Sequence, residues 1–152
     1  MANPFDPRTV LLAKHAQHVV LVHFPIALFL TGTLFDVAAK QTKRAALSQA
    51  AQVNIVAAAV FAIPTLVTGI LAWRWQLDGT KLRGILLLHA VLGGTAAILI
   101  CGFAWLRNRK RADSNAGAEL PGYLLALELL TALCLAAAAH VGGVVSGITS
   151  LG

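Results

Sequence analysis

Four histidines lie inside or at the edge of long apolar runs, where nothing in a generic membrane helix requires them. His18 and His23 stand at the start of the first run, His89 early in the third and His140 late in the fourth. Ionisable groups at membrane depth are costly and by default indicate function. Because imidazole is a common ligand of iron, copper and zinc, we interpret these histidines as candidate metal ligands.

The composition indicates an integral membrane protein. The chain has 152 residues, of which 58% are hydrophobic and 12% are charged, whereas soluble domains carry about a quarter charged residues. Its apolar runs reach the roughly 18 or more residues that a helix needs to cross a bilayer. Serine or cysteine catalytic constellations, phosphate-cradling loops and carboxylate pairs are missing from the sequence. These features argue against a soluble enzyme and against hydrolase chemistry.

The net charge of +6 does not indicate nucleic-acid binding. The basic residues cluster in short segments between apolar runs, where membrane topology and anionic lipid explain them. Aromatic residues interleaved with Lys and Arg, as single-strand binders need, are absent. We therefore expect the lipid bilayer as a partner and no nucleic acid. Cys101 and Cys134 fall within apolar runs and are expected to be buried free thiols.

The apolar runs predict an all-α fold, a single transmembrane domain over residues 1–152. Short connections between the runs favour an antiparallel four-helix bundle. A short interfacial helix is expected before the first run, within residues 1–17. The four predicted transmembrane helices cover about residues 18–38, 53–76, 82–106 and 121–148.

The basic residues also predict the orientation of the bundle. Seven of the twelve lie on the side of the bundle that holds residues 40–52 and 107–120, and five lie on the other side. Positive-inside reasoning makes the first side cytoplasmic, so both termini are expected to be periplasmic.

Antiparallel connectivity converts sequence positions into depths in the membrane. His23 and His89 follow the starts of the first and third helices, and His140 precedes the end of the fourth. With a rise of 1.5 Å per residue, all three are expected roughly 8 to 12 Å inside the same membrane face. Nothing in the composition requires this coincidence, and it is the strongest inference that the sequence permits.

Haem b is the cofactor that best fits histidines facing one another in an apolar four-helix bundle. Axial ligation by histidines from two helices would hold it, and four candidate ligands allow one haem or two. A flat macrocycle also needs small residues beside its ligands. Gly93 lies one turn after His89, and Gly142 and Gly143 follow His140.

The alternatives differ from one histidine to the next. Small residues also let helices pack closely in lipid, and each histidine could simply make an interhelical hydrogen bond. His18 lies about 140° around the helix from His23, so the two cannot easily share one metal. His18 could instead bind a second haem, contact a propionate or lie in the interface. His15 is expected to be an interfacial side chain.

Two acidic residues are the remaining candidates for a functional or structural role in the membrane. Glu128 is predicted about two turns inside the fourth helix, where a carboxylate could relay protons or take part in quinone chemistry. It could equally reach the interface or pair with a basic residue of a loop. Asp36 is expected to form an ion pair with Lys40, one turn further along the first helix.

Residues 18–26, His89 and the run His140-Val-Gly-Gly together resemble a bacterial membrane family, domain of unknown function twenty-two thirty-one. That family tends to show His-Pro-x-x-Val-His-Phe-Pro-Ile near its start and His-x-Gly-Gly near its end. The resemblance spans the four helices, about 130 residues of the chain printed above. It implies a four-helix protein of the bacterial inner membrane. Members fused to Rieske iron–sulfur domains further imply electron transfer.

Three functions are carried forward. The first is a b-type cytochrome, one subunit of a larger redox complex, passing electrons between a periplasmic partner and the quinone pool. The second is a non-haem copper or zinc site or a metal permease, which no Met-rich or Cys-rich path accompanies. The third is a structural anchor without a cofactor. An electron-transfer subunit is expected rather than a stand-alone enzyme.

Overall fold

The computed structural model describes residues 16–113 and 120–147. Within them the chain is all α-helical, as predicted, and forms four helices. Each helix is long and apolar enough to cross a membrane. The helices are α1 (Ala16–Thr42), α2 (Ala45–Gln76), α3 (Gly84–Asp113) and α4 (Gly122–Val145). The predicted interfacial helix, with His15, lies outside the described residues apart from its last two positions, which belong to α1.

The helices run up and down in turn, and each packs against the next, with α4 returning to α1. We call the end at which α1 and α3 begin the histidine end, because His18 and His89 lie there. The opposite end, at which α2 and α4 begin, is the arginine end, after Arg107. The antiparallel four-helix bundle predicted from the short connections is therefore present.

The helices extend further at the arginine end than the sequence predicted. The segment expected to be a polar linker, residues 40–52, contains the end of α1 and the first two turns of α2. Only Lys43 and Arg44 connect the two helices, and Lys43 has a positive φ of 58°. The physical reason is that Ala, Leu and Gln dominate residues 45–52 and are good helix formers, so the helix continues beyond the apolar run.

Two prolines interrupt the backbone ladder inside helices, Pro25 in α1 and Pro64 in α2. Pro25 cannot donate to the carbonyl of Leu21, four residues earlier. The hydroxyl of Thr65 on α2 lies 3.2 Å from that carbonyl oxygen and 2.8 Å from the carbonyl oxygen of Phe61 in its own helix, so the two carbonyls share its one hydrogen. A neighbouring helix thus offers the freed carbonyl a shared donor, as irregular backbone in a membrane requires.

The closely packed core occupies the half of the bundle nearer the arginine end. In α2, α3 and α4 the fully buried residues lie between that end and Ala62, Ala96 and Ala138, respectively. In α1 they begin at Pro25. Phe29 and Phe103 meet edge to face at the centre of this core, with ring centroids 6.2 Å apart. Among the described residues, none nearer the histidine end is fully buried, so packing is looser there.

Candidate functional site

His18 lies in the first turn of α1 and its side chain points to α2. Its Nδ1 is 3.1 Å from the carbonyl oxygen of Thr65 and 3.3 Å from the hydroxyl of Thr68. The ring lies against Gly69, where an added Cβ would come within 3.0 Å of the imidazole Cε1. The glycine lets the imidazole lie flat against the backbone of α2.

His89 repeats this arrangement on the other two helices. From the second turn of α3 its Nδ1 lies 3.2 Å from the carbonyl oxygen of Ala138 on α4. Its ring lies against Gly142, where an added Cβ would be 2.8 Å from the imidazole Cε1. Each half-buried histidine is thus fixed by one backbone carbonyl and one glycine of the helix that follows it in the chain.

These hydrogen bonds define the tautomer of both rings. A carbonyl oxygen only accepts, so Nδ1 carries the hydrogen in His18 and in His89. Nε2 is then the unprotonated nitrogen of each ring, which is the form that ligates metals. A backbone carbonyl on Nδ1 is also the usual partner that orients a ligating histidine. His18 and His89 lie near the starts of α1 and α3, at the same end of the bundle. We call them the histidine pair.

The register of α1 and α3 explains why these two histidines face each other. His18 and Asp36 are 18 residues apart, and so are His89 and Arg107. Eighteen residues make five helical turns of about 3.6 residues each, so each pair lies on one helix face. Asp36 and Arg107 are bonded to each other, which shows that these faces of α1 and α3 meet. Five turns away the same two faces carry His18 and His89, the histidine pair.

The structure places the other predicted histidines differently. His23 is exposed, and its Nδ1 lies 2.6 Å from the carbonyl oxygen of Val19 in its own helix. His140 is exposed as well. Within residues 16–113 and 120–147 no group of three or more His, Cys, Asp or Glu side chains could hold a metal ion. The structure therefore brings His18 and His89 together and does not bring His23, His89 and His140 together as such a group.

The glycines predicted to lie beside the cofactor have different surroundings in the structure. Gly142 lies directly beneath the His89 ring. Around the Cβ position of Gly93 no described atom lies within 4 Å, and the same is true of Gly94. Gly143 is half-buried. Gly69, which supports His18, was not among the predicted residues. Nothing in the sequence around Gly69 indicated that it lies beside a histidine.

A second polar group occupies the arginine end, buried in the core. The guanidinium of Arg107 on α3 makes a two-pronged ion pair with the carboxylate of Asp36 on α1. It also donates to the side chain of Gln52 at 2.6 Å and to the carbonyl of Ser48 at 3.1 Å, both on α2. Arg107 is only 1% exposed and Asp36 only 2%. The ion pair predicted between Asp36 and Lys40 is therefore wrong, because Asp36 faces the interior and Lys40 is exposed.

Glu128 completes this group from α4 and is fully buried. Its Oε2 lies 4.0 Å from Nη1 of Arg107, beyond hydrogen-bond distance. Neither of its carboxyl oxygens has a hydrogen-bond partner of normal geometry among the described residues. We call Asp36, Arg107 and Glu128 the arginine cluster. Glu128 is neither at the interface nor paired with a loop residue, and its basic neighbour is a helical arginine.

The chain matches the family model described as "Predicted membrane protein (DUF2231)" over residues 14–149. The chain belongs to this family. The resemblance drawn from the histidine motifs is thereby confirmed for the family, and the four apolar helices agree with its description as a membrane protein. The protein is a multi-pass membrane protein whose helices face a lipid bilayer. No curated protein and no solved structure matches the chain.

Proposed function

We propose that this protein binds haem b between His18 and His89 and serves as an electron-transfer subunit in a membrane redox complex. The observation that carries the proposal is the matched pair of hydrogen bonds from Nδ1. His18 donates to the carbonyl of Thr65 and His89 to that of Ala138. A carbonyl that accepts from Nδ1 leaves Nε2 as the nitrogen that could bind iron, on one histidine from α1 and one from α3, which supports the proposal.

Two protein ligands suit a haem better than a bare metal ion. Zinc sites take three or four protein ligands, whereas the porphyrin supplies four nitrogens itself. In the described part of the chain no third His, Cys, Asp or Glu joins the pair to form a possible metal site. This favours haem over the copper or zinc alternative.

The surroundings of the pair also suit a flat macrocycle. Apart from Ala138, the described residues around it are at most half-buried, in contrast to the closed core at the other end. Gly93 lies one turn after His89, with no described atom within 4 Å of its Cβ position. Glycine at that point gives a macrocycle access to the backbone of α3.

A bound haem would supply one-electron chemistry, and the protein would hold and tune it. His18 and His89 would hold the iron, while Thr65 and Ala138 would orient the imidazoles through Nδ1. Gly69 and Gly142 would allow both rings to approach their neighbouring helices closely. The apolar side chains of the bundle would keep water away from the site.

The setting that we propose is the bacterial inner membrane, with the histidine end facing the periplasm. Seven basic residues belong to the arginine end, which positive-inside reasoning makes cytoplasmic. Electrons would then pass between a periplasmic donor or acceptor and the quinone pool or another redox subunit.

The visible spectrum of the detergent-purified protein, reduced with dithionite, tests this proposal. We expect the split α and β bands of a b-type haem, lost in His89→Ala. A protein without a Soret band but with stoichiometric copper or zinc would overturn haem in favour of a non-haem site. A protein with neither signal after expression with added haem would leave the structural anchor.

A further inference from the structure

The arginine cluster contains one cation for two buried carboxylates. Arg107 and Asp36 form a two-pronged pair in which the charges cancel. Glu128 is left 4.0 Å away, without a counter-charge of its own. Burying an ionised carboxylate that accepts no hydrogen bonds is strongly unfavourable, and a proton on the carboxylate removes that cost.

The polar neighbours of Glu128 favour the protonated form for a second reason. Thr33 and Asp36 of α1 are within reach of its carboxyl group. The hydroxyl of Thr33 already donates to the carbonyl of Phe29 at 2.9 Å, so it offers only a lone pair. The carboxylate of Asp36 also only accepts. Towards the carboxylate of Asp36, a carboxyl group can hydrogen-bond only as a donor, which requires a proton.

The other charged groups around Glu128 do not change this balance. The only charged residue of α2, Arg74, belongs to the histidine end. Arg111 on α3 is half-buried and donates to the carbonyl and hydroxyl of Ser48 at 2.8 Å, one turn closer to the end of the bundle. Lys40, at the end of α1, lies beside Gly122 at the start of α4. Among the side chains that the structure describes, Arg107 and Asp36 are therefore the charged groups that face Glu128.

Polar side chains connect the cluster to one end of the bundle only. From the exposed Asn108, hydrogen bonds lead to Gln52 and from Gln52 to Arg107. Arg111 and Ser48 form a second connection to Arg107. On the other side of Glu128 the core contains the buried side chains of Phe29, Phe103 and Leu135. The buried hydroxyls there, those of Thr33 and Thr131, donate to carbonyls of their own helices. Amides and the guanidinium of Arg107 do not release protons, so these polar groups serve only to admit water, which would carry a proton to Glu128 from the arginine end.

We propose that the carboxyl group of Glu128 is a proton-binding site that is loaded and emptied through the arginine end of the bundle. The loaded form is the neutral acid, with its O–H donated towards Asp36. In the emptied form the proton has passed to water beyond Asn108 and Arg111, and Arg107 faces two carboxylates. The ligand is the proton alone, and the site does not depend on a haem at the other end.

Infrared spectroscopy of the full-length protein in lipid vesicles at neutral pH tests the proposal. We expect a carbonyl stretching band from one protonated carboxylic acid, shifted to lower frequency after exchange into D₂O. Glu128→Gln should abolish the band and keep the fold, because the amide has nearly the same shape and no charge. His89→Ala should leave the band unchanged.

Two results would overturn the proposal. One is a folded wild-type protein without a protonated-acid band. The other is a band that persists in Glu128→Gln and disappears in Asp36→Asn, which would assign the proton to Asp36. The route through the arginine end is tested with the double variant Gln52→Leu and Asn108→Leu. We expect the same band to shift more slowly in D₂O in this variant than in the wild type. An unchanged exchange rate would exclude that route.

Discussion

The two ends of the bundle present the same two helix faces with different chemistry. At the arginine end, the faces of α1 and α3 meet as a charged pair, Asp36 and Arg107, enclosed by a packed core. Five turns away the same faces carry His18 and His89, two half-buried rings that bond to the neighbouring helices α2 and α4. One end is closed around a direct bond across the bundle. The other carries two imidazoles, each bonded to a neighbouring helix.

The difference indicates that the two ends of the bundle have different roles. A direct ion pair between helices fixes their register and closes the space between them. The Nδ1 atoms of His18 and His89 bond to α2 and α4, respectively. Their unprotonated Nε2 atoms therefore remain available to a group bound between the two rings. The arginine cluster thus specifies the alignment of α1 and α3 that the histidine pair requires.

The largest expected effect comes from breaking the closed end. Arg107→Met leaves Asp36 buried without its partner and should lower the free energy of unfolding by about 3–5 kcal/mol. Thermal unfolding in detergent measures the loss. The matched control is Arg109→Met, because Arg109 is exposed with its guanidinium 4.8 Å from the Trp105 ring centroid. That control should cost about 0.5–1 kcal/mol.

Removing both charges sharpens this prediction. The double variant Asp36→Leu with Arg107→Met contains no unpaired buried charge, provided that Glu128 is protonated. Most of the stability lost in Arg107→Met alone should therefore return in the double variant. If the double variant is as unstable as Arg107→Met alone, the ion pair is not the source of the loss.

A smaller effect is expected from filling the glycine positions beneath the histidine pair. Gly142→Ala would place a Cβ 2.8 Å from Cε1 of His89, and Gly69→Ala would place one 3.0 Å from Cε1 of His18. Overpacking of this kind costs about 1–3 kcal/mol and should displace the rings, so less haem is retained. Haem content per protein is the measurement. Gly102→Ala is the control, since no described atom lies within 4 Å of its Cβ position, and normal loading of Gly142→Ala would contradict the arrangement.

The smallest expected effect is on the hydroxyl that joins α1 to α2. Thr65→Val removes the donor to the carbonyl of Leu21, which Pro25 leaves free. Hydrogen bonds between membrane helices contribute about 0.6 kcal/mol on average, so the unfolding temperature should fall only slightly. The carbonyl of Thr65 remains for His18, so haem binding should be retained. Loss of haem in this variant would show that the hydroxyl, and not the carbonyl, positions His18.

The sequence was sufficient for the bundle and only partly sufficient for the site. Four long apolar runs predict four membrane helices, and their short connections predict an antiparallel order. The ends of α1 and α2 were not predictable from hydropathy, because residues 45–52 are helical without being part of an apolar run. A turn at Asp78 and Gly79 follows α2, and both residues have positive φ angles.

For the site, the sequence separated His18 from His23 by angle but could not tell which of them faces the bundle interior. That choice depends on the rotation of α1, which Asp36 defines through its bond to Arg107. The equal spacing of His18 from Asp36 and of His89 from Arg107 was the available signal. Without it, the prediction grouped His23, His89 and His140 and kept His18 as a further candidate ligand; in the structure His23 and His140 are exposed.

The central claim is that His18 and His89 bind one haem together. The most direct test compares the reduced visible spectra and the haem content of four single variants, each expressed with haem and purified identically. The account predicts that His18→Ala and His89→Ala lose the b-type spectrum, while His23→Ala and His140→Ala retain it at the wild-type stoichiometry. Retention in His18→Ala together with loss in His23→Ala or His140→Ala would contradict it.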